Sequence, residues 1–204
     1  VLSGHISQTA YAADNTYTTP RFTTEITVNE NNSFDVTEDI RVDFVYPHHG
    51  IYRYIPTNGV EISRIRVPGY DVDISVQNSC KVLQIGSADY TLRGVNDYRI
   101  IYRMSAWDDE TTEKDVLMLN VLPTDWETPV DKASAVIHLP KPLTQEARDS
   151  IKIYSGGYGT EGNELNVKYN VSEDGQTITI NAGYLPEHSG VTLTADLPEG
   201  YYVD

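Results

Sequence analysis

An all-β sandwich of many short, antiparallel strands, with at most one short helix, is the fold this sequence predicts. Three observations carry it. Apolar side chains recur at every second residue through most of the chain, the period of a half-buried strand. Gly, Pro and Asn punctuate those runs at short intervals, as the turns of a sandwich or barrel require. Only Leu143 to Ser150 has the composition of a helix, and it is short.

The elements follow in order. Phe22, Thr24, Ile26 and Val28 alternate with polar partners, and Asn29-Glu30-Asn31-Asn32 supplies turn chemistry, because Asn tolerates left-handed backbone angles. A long strand follows, with Phe34, Val36, Ile40, Val42, Phe44 and Tyr46 on one face and Glu38 interrupting the apolar series. The two strands predict an antiparallel hairpin. Shorter alternations occupy Ile62 to Val67, Val72 to Val76, Val82 to Ile85 (ending at Gly86) and Tyr90 to Leu92 (ending at Gly94). Tyr98 to Met104 and Val116 to Val121 are denser and read as central strands. Ala133 to Leu139 stops at Pro140-Lys141-Pro142; Ile151 to Tyr154, Leu165 to Val171, Thr177 to Ile180 and Val191 to Leu197 complete the set. Glu173-Asp174-Gly175 is a tight turn between two of these.

Composition bounds the function. The chain has 204 residues, 39% of them hydrophobic, which suffices for a core. Acidic residues number 30 against 15 basic, giving a net charge of −15, and such a surface repels phosphate, so nucleic acid is not an expected partner. No run approaches the roughly 18 apolar residues of a membrane helix. The one cysteine, Cys80, excludes an internal disulfide framework and a thiolate zinc cluster. Residues 1–20 read as the remnant of a secretory signal and a disordered N-terminus, with Ala10-Tyr11-Ala12 as the small-residue cleavage pattern and Pro20 as the limit; residues 21–204 read as a single domain.

Three patches, in order, carry a resemblance: Val36-Thr37-Glu38-Asp39, the GIYRYIP run from Gly50 to Pro56, and VTLTADLPEGYY from Val191 to Tyr202. Ile85-Gly86 and Tyr98-Arg99-Ile100-Ile101-Tyr102 lie between them. This constellation resembles the N-terminal extracytoplasmic domain of the DUF2207 family, the YciQ-like predicted membrane proteins, from about Phe22 to Tyr202. One position departs from it, since Met118-Leu119 precede Asn120 where the family usually has an aromatic; Trp126 follows in place. The resemblance implies a signal peptide, a β-rich domain outside the membrane, and membrane helices beyond Asp204. It implies no activity, substrate or catalytic residue.

Among polar residues Glu38 is the most informative, because a lone carboxylate on an apolar face costs several kcal/mol. Arg53 in GIYRYIP is its expected partner, in a structural bridge that fixes that turn against the long strand, with Tyr52 and Tyr54 as shields. His48 and His49, being adjacent on an extended chain, point to opposite sides and make a poor chelate. Asp108, Asp109 and Glu110 head the densest acidic patch but lack the spacing of a calcium loop. Tyr154-Ser155-Gly156-Gly157-Tyr158-Gly159 reads as a mobile loop presenting two aromatics, Tyr154 and Tyr158, to a glycan or peptide.

No nucleophile elbow, H-E-x-x-H or P-loop occurs, no cofactor is expected, and enzymatic activity is the less favoured reading. The expectation is a non-catalytic interaction or ligand-sensing domain at the bacterial cell surface, membrane-anchored through a segment outside this chain, with an unidentified protein or envelope glycan as partner. The alternatives are a cell-envelope hydrolase using carboxylates or a bound cation, and a structural spacer.

Overall fold

A computed structural model describes residues 17–106 and 113–203. Thirteen strands and one helix follow in order: β1 (Tyr17–Val28), β2 (Ser33–His48), β3 (Gly50–Pro56), β4 (Val60–Arg66), β5 (Val72–Gln77), β6 (Cys80–Gly86), β7 (Leu92–Ala106), β8 (Lys114–Leu122), β9 (Val130–His138), α1 (Gln145–Ser150), β10 (Lys152–Gly156), β11 (Lys168–Val171), β12 (Thr177–Leu185) and β13 (Gly190–Pro198), all counted among the described residues. The fold is all-β. β1 begins at Tyr17, ahead of the Pro20 limit set by sequence, because Tyr17 packs edge-on against Phe44 and Trp126.

Seven strands form one sheet in the order β11-β12-β9-β1-β2-β7-β4. Its inner face is the apolar row of each strand, including Phe22, Val36, Ile40, Ile100, Ile137 and Ile178, all at most 1% exposed. Two three-stranded sheets, β10-β13-β8 and β3-β6-β5, cover that face. β8 packs against β1 and β9, β3 reaches β2 through a side chain, and all three sheets contribute to a single buried apolar cluster. Two layers around one core is what strands with one apolar face must build.

The outer face of the large sheet is polar. Along the β2–β7 ladder, Asp35, Asp39 and Arg41 sit directly opposite Arg103, Arg99 and Asp97, and each pair makes two hydrogen bonds. Cross-strand ion pairs of this kind fix register, since a one-residue slip would break every one of them.

Several sequence expectations hold and several change. The β1–β2 hairpin is present, turning at Asn32 (φ 52°), as is the turn at Gly175 (φ 75°) between β11 and β12. Thr144 caps α1, its Oγ1 accepting from Ala147 N at 3.1 Å. The sheets are not wholly antiparallel, because β1 pairs with β9 in parallel. β8, expected to be central, is at the edge of its sheet and buries one face only. The Gly50–Pro56 segment, expected to be a turn, is strand β3. Gly94 does not end a strand; with φ 62° it is absorbed within β7. Among the described residues no helix is long and apolar enough to cross a membrane.

Candidate functional site

Strand alternation puts Glu38 on the inner face of β2, where its side chain is 2% exposed. It is an interior position, flanked by Thr24 of β1 and Ile100 of β7. β3 alternates in the same way: Ile51, Arg53 and Ile55 point inward while Tyr52 and Tyr54 point away. Arg53 Nε donates to Glu38 Oε2 and Arg53 Nη2 to Glu38 Oε1, both at 2.8 Å. The Tyr102 hydroxyl donates to Glu38 Oε1 at 2.8 Å. Arg53 Nη1 donates to the Tyr54 carbonyl and lies 3.6 Å from Asp125 Oδ1.

The electrostatics follow from this geometry. Burial works to lower the Arg53 pKa, and the charge and hydrogen bonds of Glu38 more than reverse it, so the guanidinium stays charged. Burial, then the neighbouring Glu38, push the Tyr102 hydroxyl well above its ordinary value, which keeps it a donor. Burial also raises Asp125, and the nearby Arg53 charge offsets this only in part. Asp125 Oδ2 is buried with no hydrogen-bond partner among the described residues. Glu38 thus receives three donors with both oxygens engaged, while Asp125 is the less satisfied member at the rim.

Tyr102 and Asp125 were missed in the sequence. Tyr102 is diagonal to Glu38, since Val36 faces Tyr102 and Glu38 faces Ile100; a second Tyr in the inward row Tyr98, Ile100, Tyr102 was its only signal. Asp125 comes from the segment between β8 and β9, held to β1 where Trp126 Nε1 donates to Thr19 Oγ1 at 3.0 Å. Tyr52 and Tyr54 do not shield the pair. They stack on each other on the opposite face, and Tyr52 is half exposed.

The other candidates do not converge. The His48 ring stacks on Phe44 at 5.0 Å, whereas His49 Nδ1 lies 2.9 Å from Ser87 O. Asp108, Asp109 and Glu110 lie outside the described residues. Among those described, no three His, Cys, Asp or Glu side chains group to hold a metal ion. Cys80 is a free thiol, half buried, raised in pKa by burial and then by Asp125.

Tyr154 and Tyr158 part company. Tyr154 is on strand β10 and half buried, while Tyr158 is 98% exposed. The loop carrying Tyr158 is tied down rather than free. Ser155 N donates to Gly162 O and Glu164 N to Ser155 O. Asn163 joins these contacts: Oδ1 accepts from Ser155 Oγ and Val167 N, and Nδ2 donates to Val167 O. Asn163, within Glu161-Gly162-Asn163-Glu164, was missed in the sequence; an Asn after Gly is the signal that was available.

The class of molecule is therefore an all-β sandwich whose two layers meet at a buried ion pair. The chain belongs to the DUF2207 family, described as "Predicted membrane protein (DUF2207) N-terminal domain", whose model matches residues 18–197. No curated protein matches it. Among solved structures it is similar to a "putative protease" from Parabacteroides distasonis, at TM-score 0.51 and 12% identity over 90% of this chain and 41% of that one. It is also similar to yeast LTA4 hydrolase in complex with bestatin, at TM-score 0.49 and 11% identity over 94% of this chain and 31% of the other. An M1 zinc metallopeptidase from Deinococcus radiodurans gives TM-score 0.45 and 16% identity over 87% and 42%. The chain spans less than half the length of these structures, and the likeness to the first is one of fold.

Proposed function

We propose that this domain is a non-catalytic interaction module, displayed outside the cell by a membrane-anchored protein. The observation that carries the reading is Tyr158. A large aromatic side chain 98% exposed, on a loop whose backbone is pinned by Ser155 and Asn163, presents a flat apolar face at little entropic cost. The family description supports membrane attachment. The most prominent charged cluster supports a structural role, because its carboxylate is buried with both oxygens engaged by Arg53 and Tyr102. The partner is an envelope glycan or another envelope protein.

Two measurements on the full-length protein test the reading. A membrane-impermeant maleimide applied to intact cells labels Cys80, with Cys80→Ser as control; labelling only after lysis would place the domain inside. Retention on isolated cell-wall sacculi, with and without their attached proteins, falls about tenfold in Tyr158→Ala at unchanged Tm. Retention equal to that of the unaltered protein would remove Tyr158 from the reading.

A further inference from the structure

The free edge of β5 is a second surface with a definite chemistry. β5 bonds to β6 on one side only. The two strands meet in a tight turn at Asn78 and Ser79, both with positive φ (48° and 58°), so Gln77 and Cys80 face each other as its closing pair. In an antiparallel ladder every second residue exchanges both hydrogen bonds with its partner. Counting from Gln77, Ser75 and Asp73 therefore bond to β6, a phase that Gly86 N donating to Asp71 O at 2.9 Å extends. The N–H and C=O groups of Val72, Ile74 and Val76 point out of the sheet.

The same three residues share one face, the face that holds Leu83 and Ile85 of β6 in the core. Val72 still packs against the core, but the hairpin overhangs the body, leaving Ile74 50% and Val76 70% exposed. Three of the five other edge strands among the described residues carry protection: β11 has four residues and begins with Lys168, β4 is kinked between Ser63 and Arg66, and the loop through Asn163 bonds along β10. β5, with the sequence VDISVQ, has no Pro, no Lys and no register shift.

We propose that β5 takes up an extended, cationic polypeptide segment of another protein as the fourth strand of the β3-β6-β5 sheet. Unpaired backbone groups at a two-residue period fit an extended chain. The apolar row selects a segment with alternate apolar side chains. Asp71 and Asp73 beside the edge, in a chain of net charge −15, favour Lys or Arg between them and disfavour a second copy of this chain, although Lys81 opposite Val76 adds one positive charge. The inference rests on the interaction reading above but uses a surface apart from Tyr158.

The test uses an end-capped nine-residue peptide alternating valine with lysine and threonine, and an isotope-labelled domain followed by NMR. The peptide slows hydrogen exchange at Val72, Ile74 and Val76, and the same peptide N-methylated along its bonding edge does not. Ile74→Pro removes an outward donor without touching the β6 ladder and abolishes the effect, and Val76→Thr, which keeps the backbone, weakens binding about tenfold. Binding that survives both substitutions, shifts confined to other strands, no response at β5, or concentration-dependent dimerisation through β5 would each overturn the proposal. If Tyr158-dependent retention on sacculi persists in any of those cases, only the strand inference fails; if that retention is also absent, the interaction reading falls with it.

Discussion

Arg53 is the residue on which the two layers depend. Its side chain is 5% exposed, and Glu38 at 2.8 Å supplies a buried counter-charge. Removing one partner from a buried pair leaves the other uncompensated, which costs about 3–5 kcal/mol. Glu38→Gln and Arg53→Ala are each expected to lose stability of that order in denaturant melts. The double variant should lose much less than the sum; additive losses would show that the two side chains do not act together. Asp125 acts in the opposite sense. Burial raises its pKa, so the folded domain holds that proton more tightly than the unfolded chain does. Its favourable contribution is complete below the ordinary carboxylate range and is lost as pH rises through the raised value. Asp125→Asn cannot ionise, so its Tm should exceed that of the unaltered domain at pH 7. The gap should close as pH falls below about 4. A gap that does not vary with pH would remove Asp125 as the titrating group.

At the scale of elements, β3 explains why part of the site was hidden. Its inward row reads Ile51, Arg53, Ile55, and a charged residue in the middle slot interrupts the apolar period, so the segment passes for a turn. The hairpin of β1 and β2, and helix α1 behind its Thr144 cap, were legible because their signals are local. The bridge itself was legible from a carboxylate in an apolar series. Asp125 was not, since its position depends on Trp126 docking against β1 over a hundred residues away. Gly50 and Gly86 face each other where β3 meets β6, with φ of 145° and 139°. A Cβ on Gly86 would lie 1.9 Å from the His49 carbonyl oxygen, and one on Gly50 1.8 Å from that of Ile85. Gly86→Ala should therefore destabilise by roughly 2–4 kcal/mol and loosen Arg53 from Glu38. An unchanged melting curve would contradict this close approach.

At the scale of the whole molecule, the two-residue rhythm predicts strands but not their neighbours. It repeats in every element, so it cannot tell β9 from β12 as the partner of β1; that choice lies in how complete layers pack. Thr19 of β1 and Thr128, just ahead of β9, share a hydrogen bond 109 residues apart in sequence. This placement of β1 has a kinetic consequence. The strand is made before both of its neighbours, can zip to β2 as soon as that strand follows, and then keeps its other flank open until β9 has been made. Closure of such a distant parallel pairing is slow, so folding of this domain is paced by the docking of β9 on β1 rather than by the speed of its hairpins.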